Sequence, residues 1–117
     1  MARVVAFIPD LLFGSNVIGA LRAGGHDPVL ASSAADLEGE LPGADVLVVD
    51  LTDDVTARIE VARAALADEQ VRARTLAFFS HVESDVRAQA LDAGFDLVVP
   101  RSRMARATVQ LIAELTV

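Results

Sequence analysis

The chain has 117 residues, and its 10 basic residues, all arginine, stand against 17 acidic ones, which gives a formal net charge of −7. Without cysteine it has no disulfide, no zinc–thiolate site and no cysteine nucleophile. An acidic chain without a basic cluster is a poor candidate for binding nucleic acid or an anionic membrane surface. The length predicts one domain over residues 1–117, and the charge predicts no nucleic-acid or membrane partner. We expect the domain to be cytoplasmic.

Five short apolar runs predict five β-strands. The runs cover residues 4–8, 28–31, 46–49, 76–79 and 97–99. Most of them are continuous and do not alternate with polar residues. This pattern is typical of strands that are buried on both faces of a parallel sheet.

Helical spacing of apolar residues fills the gaps between the runs. Gly24 and Gly25 predict the end of the first helix. The pair Ser33 and Asp36 predicts a capping box at the start of a second helix, and Asp53 predicts the start of a third. The apolar stripes are Phe13, Val17, Ala20 and Leu21 in the first helix, Val55, Ile59, Ala62 and Leu66 in the third, Val86 and Ala90 in the fourth, and Met104, Leu111 and Leu115 in the last.

The alternation of strands and helices, repeated five times, predicts an α/β fold. Right-handed crossovers make the strands parallel, so we expect a single doubly wound five-stranded sheet with helices on both faces. In such sheets ligands bind beyond the carboxyl ends of the strands. In the flavodoxin-like strand order 2-1-3-4-5, polar residues that follow four neighbouring strands would converge there. These residues are Asp10, Asp50, Ser80 and Arg101.

This set of side chains has a chemical logic. Two neighbouring carboxylates repel each other, and a hard cation such as Mg²⁺ relieves the repulsion because it prefers oxygen ligands. An aspartate beside such an ion can act as a nucleophile towards a phosphoryl group. A nearby hydroxyl and a cation can bind the phosphoryl oxygens.

Over essentially its whole length the sequence resembles the receiver domains of response regulators. Asp50 follows its apolar strand as the phosphoacceptor does in that family, and the segment Ala-Gly-Phe-Asp-Leu-Val-Val-Pro-Arg-Ser at residues 93–102 is similar to the family's Ala-Gly-Ala-Asp-Asp-Tyr-Leu-Val-Lys-Pro. The resemblance implies that Asp10, Asp50 and the carbonyl of Thr52 hold Mg²⁺. It also implies that Ser80 and Arg101 contact the phosphoryl group.

Several residues depart from the family pattern. Pro9 replaces the first acidic residue, Arg101 replaces the lysine, Ser102 replaces the following proline, and Val98 replaces the aromatic switch residue. Arginine is not equivalent to lysine, because its planar fork cannot reproduce a compact ammonium group. The departures favour a pseudo-receiver in which phosphorylation and Mg²⁺ binding are weak or absent.

Simpler structural roles stay open for the same residues. Asp10 can cap the first helix, and Ser80 with Glu83 can form another capping box. His81 is expected to be an exposed loop residue, with a second role as a proton donor at the rim of the site. Arg101 is either solvated or paired with Asp50.

The expected function is that of a stand-alone receiver-like signalling domain, which is not an enzyme and acts through protein–protein contact. A protein partner or a second copy would use the face of the fourth helix, fifth strand and last helix, including Val86, Ala90 and residues 103–114. The family also implies a histidine kinase as a partner. The alternatives are a conventional Mg²⁺-dependent regulator phosphorylated on Asp50, or a flavodoxin-like module that binds a small molecule or anion through Ser80, His81 and Arg101.

Overall fold

Strands and helices alternate along the chain in the computed structural model, which describes residues 1–80 and 84–116, with Ser84 described for its backbone only. The strands are β1 (Arg3–Phe7), β2 (Asp27–Ala31), β3 (Val46–Asp50), β4 (Arg74–Phe79) and β5 (Leu97–Pro100). The helices are α1 (Leu11–Ala23), α2 (Ala34–Glu40), α3 (Val55–Leu66), α4 (Ser84–Asp92), α5 (Arg101–Arg106) and α6 (Thr108–Leu115). No helix in these ranges is long and apolar enough to span a bilayer.

The five strands form one parallel sheet in the order β2-β1-β3-β4-β5. The predicted fold class and strand order are therefore confirmed. Phe7 of β1 lies beside Val49 of β3, and Val49 lies beside Ala77 of β4. This register brings the carboxyl ends of the central strands to one edge of the sheet.

Two apolar cores lie on opposite faces of the sheet, because successive strand residues point to opposite sides. On one face Val5, Leu47 and Ala77 belong to the core that contains the buried residues of α2, α3 and α4. On the other face Val48 and Phe78 belong to the core that contains those of α1, α5 and α6. The continuous apolar runs are explained by this burial on both sides.

Local chemistry sets the starts of the first two helices and the end of the first. The side chain of Asp10 accepts a hydrogen bond from the Phe13 amide at the start of α1, and that of Ser33 does the same for the Asp36 amide at the start of α2. Gly25, just after α1, has a φ of 86°, a conformation that glycine adopts without strain.

Two predicted helix bounds are wrong. Helix α3 begins after Asp54, which has a left-handed φ of 47° and makes no side-chain cap, so Asp53 is not the capping residue. The predicted last helix is two helices, separated by Ala107. There the hydroxyl of Thr108 donates to the Met104 carbonyl at 2.6 Å, a contact of the kind that bends helices.

Candidate functional site

The candidate site lies at the edge of the sheet where β1, β3, β4 and β5 end. Asp10 follows β1, Asp50 is the last residue of β3, Ser80 follows β4 and Arg101 opens α5. The topology thus brings the predicted residues to one edge. Their contacts decide which of them can act together.

Asp50 is buried, with only 1% of its surface exposed. Its Oδ1 atom accepts hydrogen bonds from the Thr52 amide at 2.8 Å and from the Thr52 hydroxyl at 2.5 Å. Thr52 therefore contacts Asp50 as a hydrogen-bond donor, through its backbone amide and its hydroxyl group. These bonds turn the chain sharply after β3 and hold the carboxylate in place.

A cation that the sequence analysis did not select also faces Asp50. The Nη1 atom of Arg58, in the first turn of α3, lies 3.5 Å from Asp50 Oδ1 and donates to the backbone carbonyl of Asp50 at 3.0 Å. The side chains of Arg58 and Asp50 are only 14% and 2% exposed. Among residues 1–80 and 84–116, the side-chain contacts of the carboxylate fall on Oδ1.

Arg58 carried a sequence signal that was missed. It lies three residues after Val55 and directly before Ile59, so it borders the apolar stripe of α3. An arginine in the first turn of a helix, beside its buried stripe, can reach back to a carboxylate at the end of the preceding strand. The apolar period alone does not show this, because it identifies core residues and not the polar residues beside them.

Asp10 and Arg101 form a second ion pair at the same edge. Asp10 Oδ1 accepts the Phe13 amide at 3.1 Å, and Asp10 Oδ2 lies 3.3 Å from Arg101 Nη2. Arg101 also lies over the Phe13 ring, with its guanidinium carbon 4.1 Å from the ring centroid. The amide of Phe13, followed by the guanidinium of Arg101, holds the pKa of Asp10 below its ordinary value.

Neither role left open for Arg101, a solvated charge or a pair with Asp50, describes its contact, since the half-exposed guanidinium pairs with Asp10. Arg101 is stacked on Phe13 of α1, and Asp10 caps the same helix, so both partners lie at the start of α1. The capping role that stayed open for Asp10 is confirmed.

Ser80 lies beside Arg101 in an open cleft of about 400 Å³ at this edge. The cleft is lined by Phe13, Ser80, Arg101, Ser102 and Ala105. It contains the hydroxyl and the cation that the sequence assigned to phosphoryl binding, and the anion-binding alternative would use the same groups. Both assignments stay predictions. His81 and Glu83, including the predicted capping box with Ser80, lie outside the described residues.

The side chains around Asp10 and Asp50 do not fit a Mg²⁺ site as they stand. Each carboxylate is already neutralised by a guanidinium, that of Arg101 for Asp10 and that of Arg58 for Asp50. Both oxygens of Asp10 also have partners in the chain. Within residues 1–80 and 84–116, no three acidic or histidine side chains cluster as metal ligands would.

Comparison with solved structures identifies the fold. A response regulator from Thermotoga maritima superposes with a TM-score of 0.83 at 14% identity, covering 99% of this chain and 98% of the other. The receiver domain of Francisella response regulator 1452 gives 0.82 at 13% identity, covering 99% and 97%. The signal receiver domain of the putative response regulator NarL from Mycobacterium tuberculosis gives 0.77 at 22% identity, covering 98% and 95%.

No protein-family model and no curated protein sequence matches the chain. The solved structures show that it has the fold of response-regulator receiver domains. The resemblance predicted from the sequence is confirmed at the level of the fold.

Proposed function

We propose that this chain is a receiver-like signal-transduction domain that acts through protein–protein contact, with weak or absent phosphorylation at Asp50. The receiver fold supports the signalling role. The observation that carries the proposal is the state of Asp50, whose carboxylate is buried and bound by Thr52 and Arg58.

The contacts around Asp50 oppose metal-dependent phosphoryl transfer. Such transfer depends on a cation that neutralises the charge of the transferred group and orients it. Here the cation beside Asp50 is Arg58, which is held by the backbone as well as by the carboxylate. Arg101, which stands in the place of the family's lysine, is held by Asp10 and by the ring of Phe13.

The proposed contact surface is the face of α4, β5 and the last two helices. Val86 and Ala90, which the sequence analysis assigned to this face, are buried in the core under α4. A partner or a second copy would instead meet the exposed side chains of the face. These include Arg87, Leu91, Arg103 and Glu114. Leu91 is 40% exposed and gives the face an apolar contact among charged groups.

Intact-protein mass spectrometry after incubation with acetyl phosphate and MgCl₂ tests the proposal. We expect little or no added phosphate, because Thr52 and Arg58 bind Oδ1 of the acceptor carboxylate and the nearby cation is a guanidinium. The receiver domain of Francisella response regulator 1452, treated in parallel, checks the reagents. The Asp50→Asn variant is the matched control within this chain. A native chain phosphorylated as fully as the parallel receiver domain, with no phosphate on the variant, would contradict the proposal and support a conventional regulator.

A further inference from the structure

We propose that Arg58 and Arg101 are resident counter-ions that take the place of a divalent cation at the sheet edge, and that removing their charges uncovers a Mg²⁺ site at Asp10 and Asp50. This inference rests on the proposed function, because it explains why Asp50 would not be phosphorylated. It assigns to Arg58 a role that the receiver resemblance does not supply.

The contacts of Arg58 cover the types of oxygen that a hard cation would take. Its Nη1 atom reaches a carboxylate oxygen of Asp50 at 3.5 Å and the backbone carbonyl of the same residue at 3.0 Å. Mg²⁺ takes oxygen ligands too, which it coordinates directly, and it completes its shell with water. A guanidinium in this position therefore meets the charge and the hydrogen-bonding needs of the carboxylate without a metal.

Arg101 is the counter-ion of Asp10 at the same edge. Its Nη2 atom lies 3.3 Å from Asp10 Oδ2, and its guanidinium is stacked on Phe13. The stacking fixes the side chain before any ligand arrives. Asp10 and Asp50 follow the neighbouring strands β1 and β3, whose register pairs Phe7 with Val49.

The charges balance in both arrangements. Two carboxylates carry two negative charges, which one Mg²⁺ ion or two guanidinium groups neutralise equally. A Mg²⁺ ion added to the native edge would bring two more positive charges beside two fixed cations. The arginines therefore oppose metal binding by repulsion, and each also contacts one carboxylate oxygen, Oδ1 of Asp50 and Oδ2 of Asp10. When both arginine charges are removed, two carboxylates remain, and one or two are enough to anchor a hydrated Mg²⁺ ion.

The two arginines are not expected to contribute equally. The Arg58–Asp50 pair is 14% and 2% exposed, whereas the Arg101–Asp10 pair is 40% and 44% exposed. Exposed ion pairs are weak, because water screens both charges. We therefore expect Arg58→Gln to open the site more than Arg101→Gln does.

NMR titration of the double variant Arg58→Gln/Arg101→Gln with Mn²⁺, as a paramagnetic substitute for Mg²⁺, tests the inference. Glutamine keeps an N–H donor but removes the charge. We expect broadening of the amide signals of Asp10, Leu51 and Thr52, reversed by excess Mg²⁺, and no such localised broadening in the native chain. Adding Asp50→Asn to the double variant should abolish the effect.

The matched control is Arg63→Gln, which removes an exposed arginine from the same helix α3. It should behave like the native chain. Localised broadening in the native chain, or none in the double variant, would overturn the inference. If the double variant is unfolded in EDTA, added Mg²⁺ should restore its circular dichroism spectrum, because a ligand that binds only the folded state stabilises it. A chain that stays unfolded in excess Mg²⁺ would equally overturn the inference.

The two proposals fail in different ways. Full phosphorylation of the native chain contradicts the proposed function whatever the metal titration shows. An unphosphorylated native chain with a double variant that binds no metal contradicts the counter-ion role alone.

Discussion

Asp10 has two partners, and each of them favours its charged form. Its side chain accepts the Phe13 amide as the cap of α1 and faces the guanidinium of Arg101. Both contacts hold the pKa of Asp10 below its ordinary value of 3.8. A carboxylate whose folded-state pKa is lowered stabilises the fold above the unfolded-state value, and this contribution is lost as the pH falls through the lowered value.

We therefore expect Asp10→Asn to lower the thermal midpoint at neutral pH and to have little effect in strong acid. Asparagine caps a helix about as well as aspartate does, so this variant removes the ion pair and largely keeps the cap. Asp10→Ala removes both and should lower the midpoint further. Thermal unfolding across the acid range checks this. A difference between native chain and Asp10→Asn that grows as the pH falls would contradict it.

At the residue scale, the sequence predicts which residues lie at the site better than it predicts which side chains they contact. The position of Asp50 after a wholly apolar strand predicts its burial, because a strand buried on both faces leads directly into the sheet edge. The partner of Arg101 depends on the geometry of a stack on Phe13, eighty-eight positions away in the chain, which no local pattern contains. The contact between Arg58 and Asp50 is local in sequence, but it depends on the path of the loop between β3 and α3.

At the scale of elements, the break between α5 and α6 shows where apolar spacing misleads. Met104, Leu111 and Leu115 lie at intervals of seven and four residues, which one continuous helix would place on one face. Ala107 leaves the helical conformation, with φ −124° and ψ 29°, and the stripe continues across the break. The spacing predicted the buried face of the segment but not its continuity, because the bond between a threonine hydroxyl and a backbone carbonyl leaves no periodic signal.

The Thr108→Val variant tests how much the hydroxyl bond at this break contributes to the free energy of unfolding. Thr108 is 5% exposed, and its hydroxyl bonds the Met104 carbonyl at 2.6 Å. Valine keeps the shape and leaves a buried carbonyl without this donor, so we expect a loss of about 1–3 kcal/mol in the free energy of unfolding. Urea unfolding followed by circular dichroism measures it.

Thr116→Val is the matched control. The Thr116 hydroxyl bonds the Ile112 carbonyl at 3.0 Å, but the residue is exposed, so water can replace the bond. We expect a change of no more than about 0.5 kcal/mol there. Equal losses in both variants would mean that burial does not decide the cost.

At the scale of the whole molecule, the sequence predicts the architecture because its signals are redundant. Each of the five strands is marked by an apolar run, and short βα connections leave few possible strand orders. The single parallel sheet follows from these constraints together, whereas the order 2-1-3-4-5 is that of flavodoxin-like folds and is confirmed by the structure. No single run would have been enough, since the second one is short and contains Pro28.

The stability lost when a leucine is truncated to alanine should depend on how far that leucine is buried. Leu47 in the central strand β3 is fully buried, so Leu47→Ala should cost about 2–5 kcal/mol by leaving a cavity. Leu12, 76% exposed on α1, is the same residue type without a core contact, and Leu12→Ala should change stability by no more than about 0.5 kcal/mol. Denaturant unfolding of both variants checks the contrast. A small loss for Leu47→Ala would contradict the assignment of β3 to the centre of the core.

The unequal exposure of the two arginine pairs also makes the sheet edge respond to ionic strength in two stages. The distance beyond which dissolved ions screen exposed charges falls from about 8 Å at physiological concentration to about 3 Å at 1 M salt, and buried pairs are screened much less. Concentrated NaCl would therefore loosen Arg101 from Asp10, whose side chains are 40% and 44% exposed, while Arg58 stays on Asp50. At high NaCl concentration the start of α1 and the cleft beside it would become more mobile, whereas the loop between β3 and α3 would not.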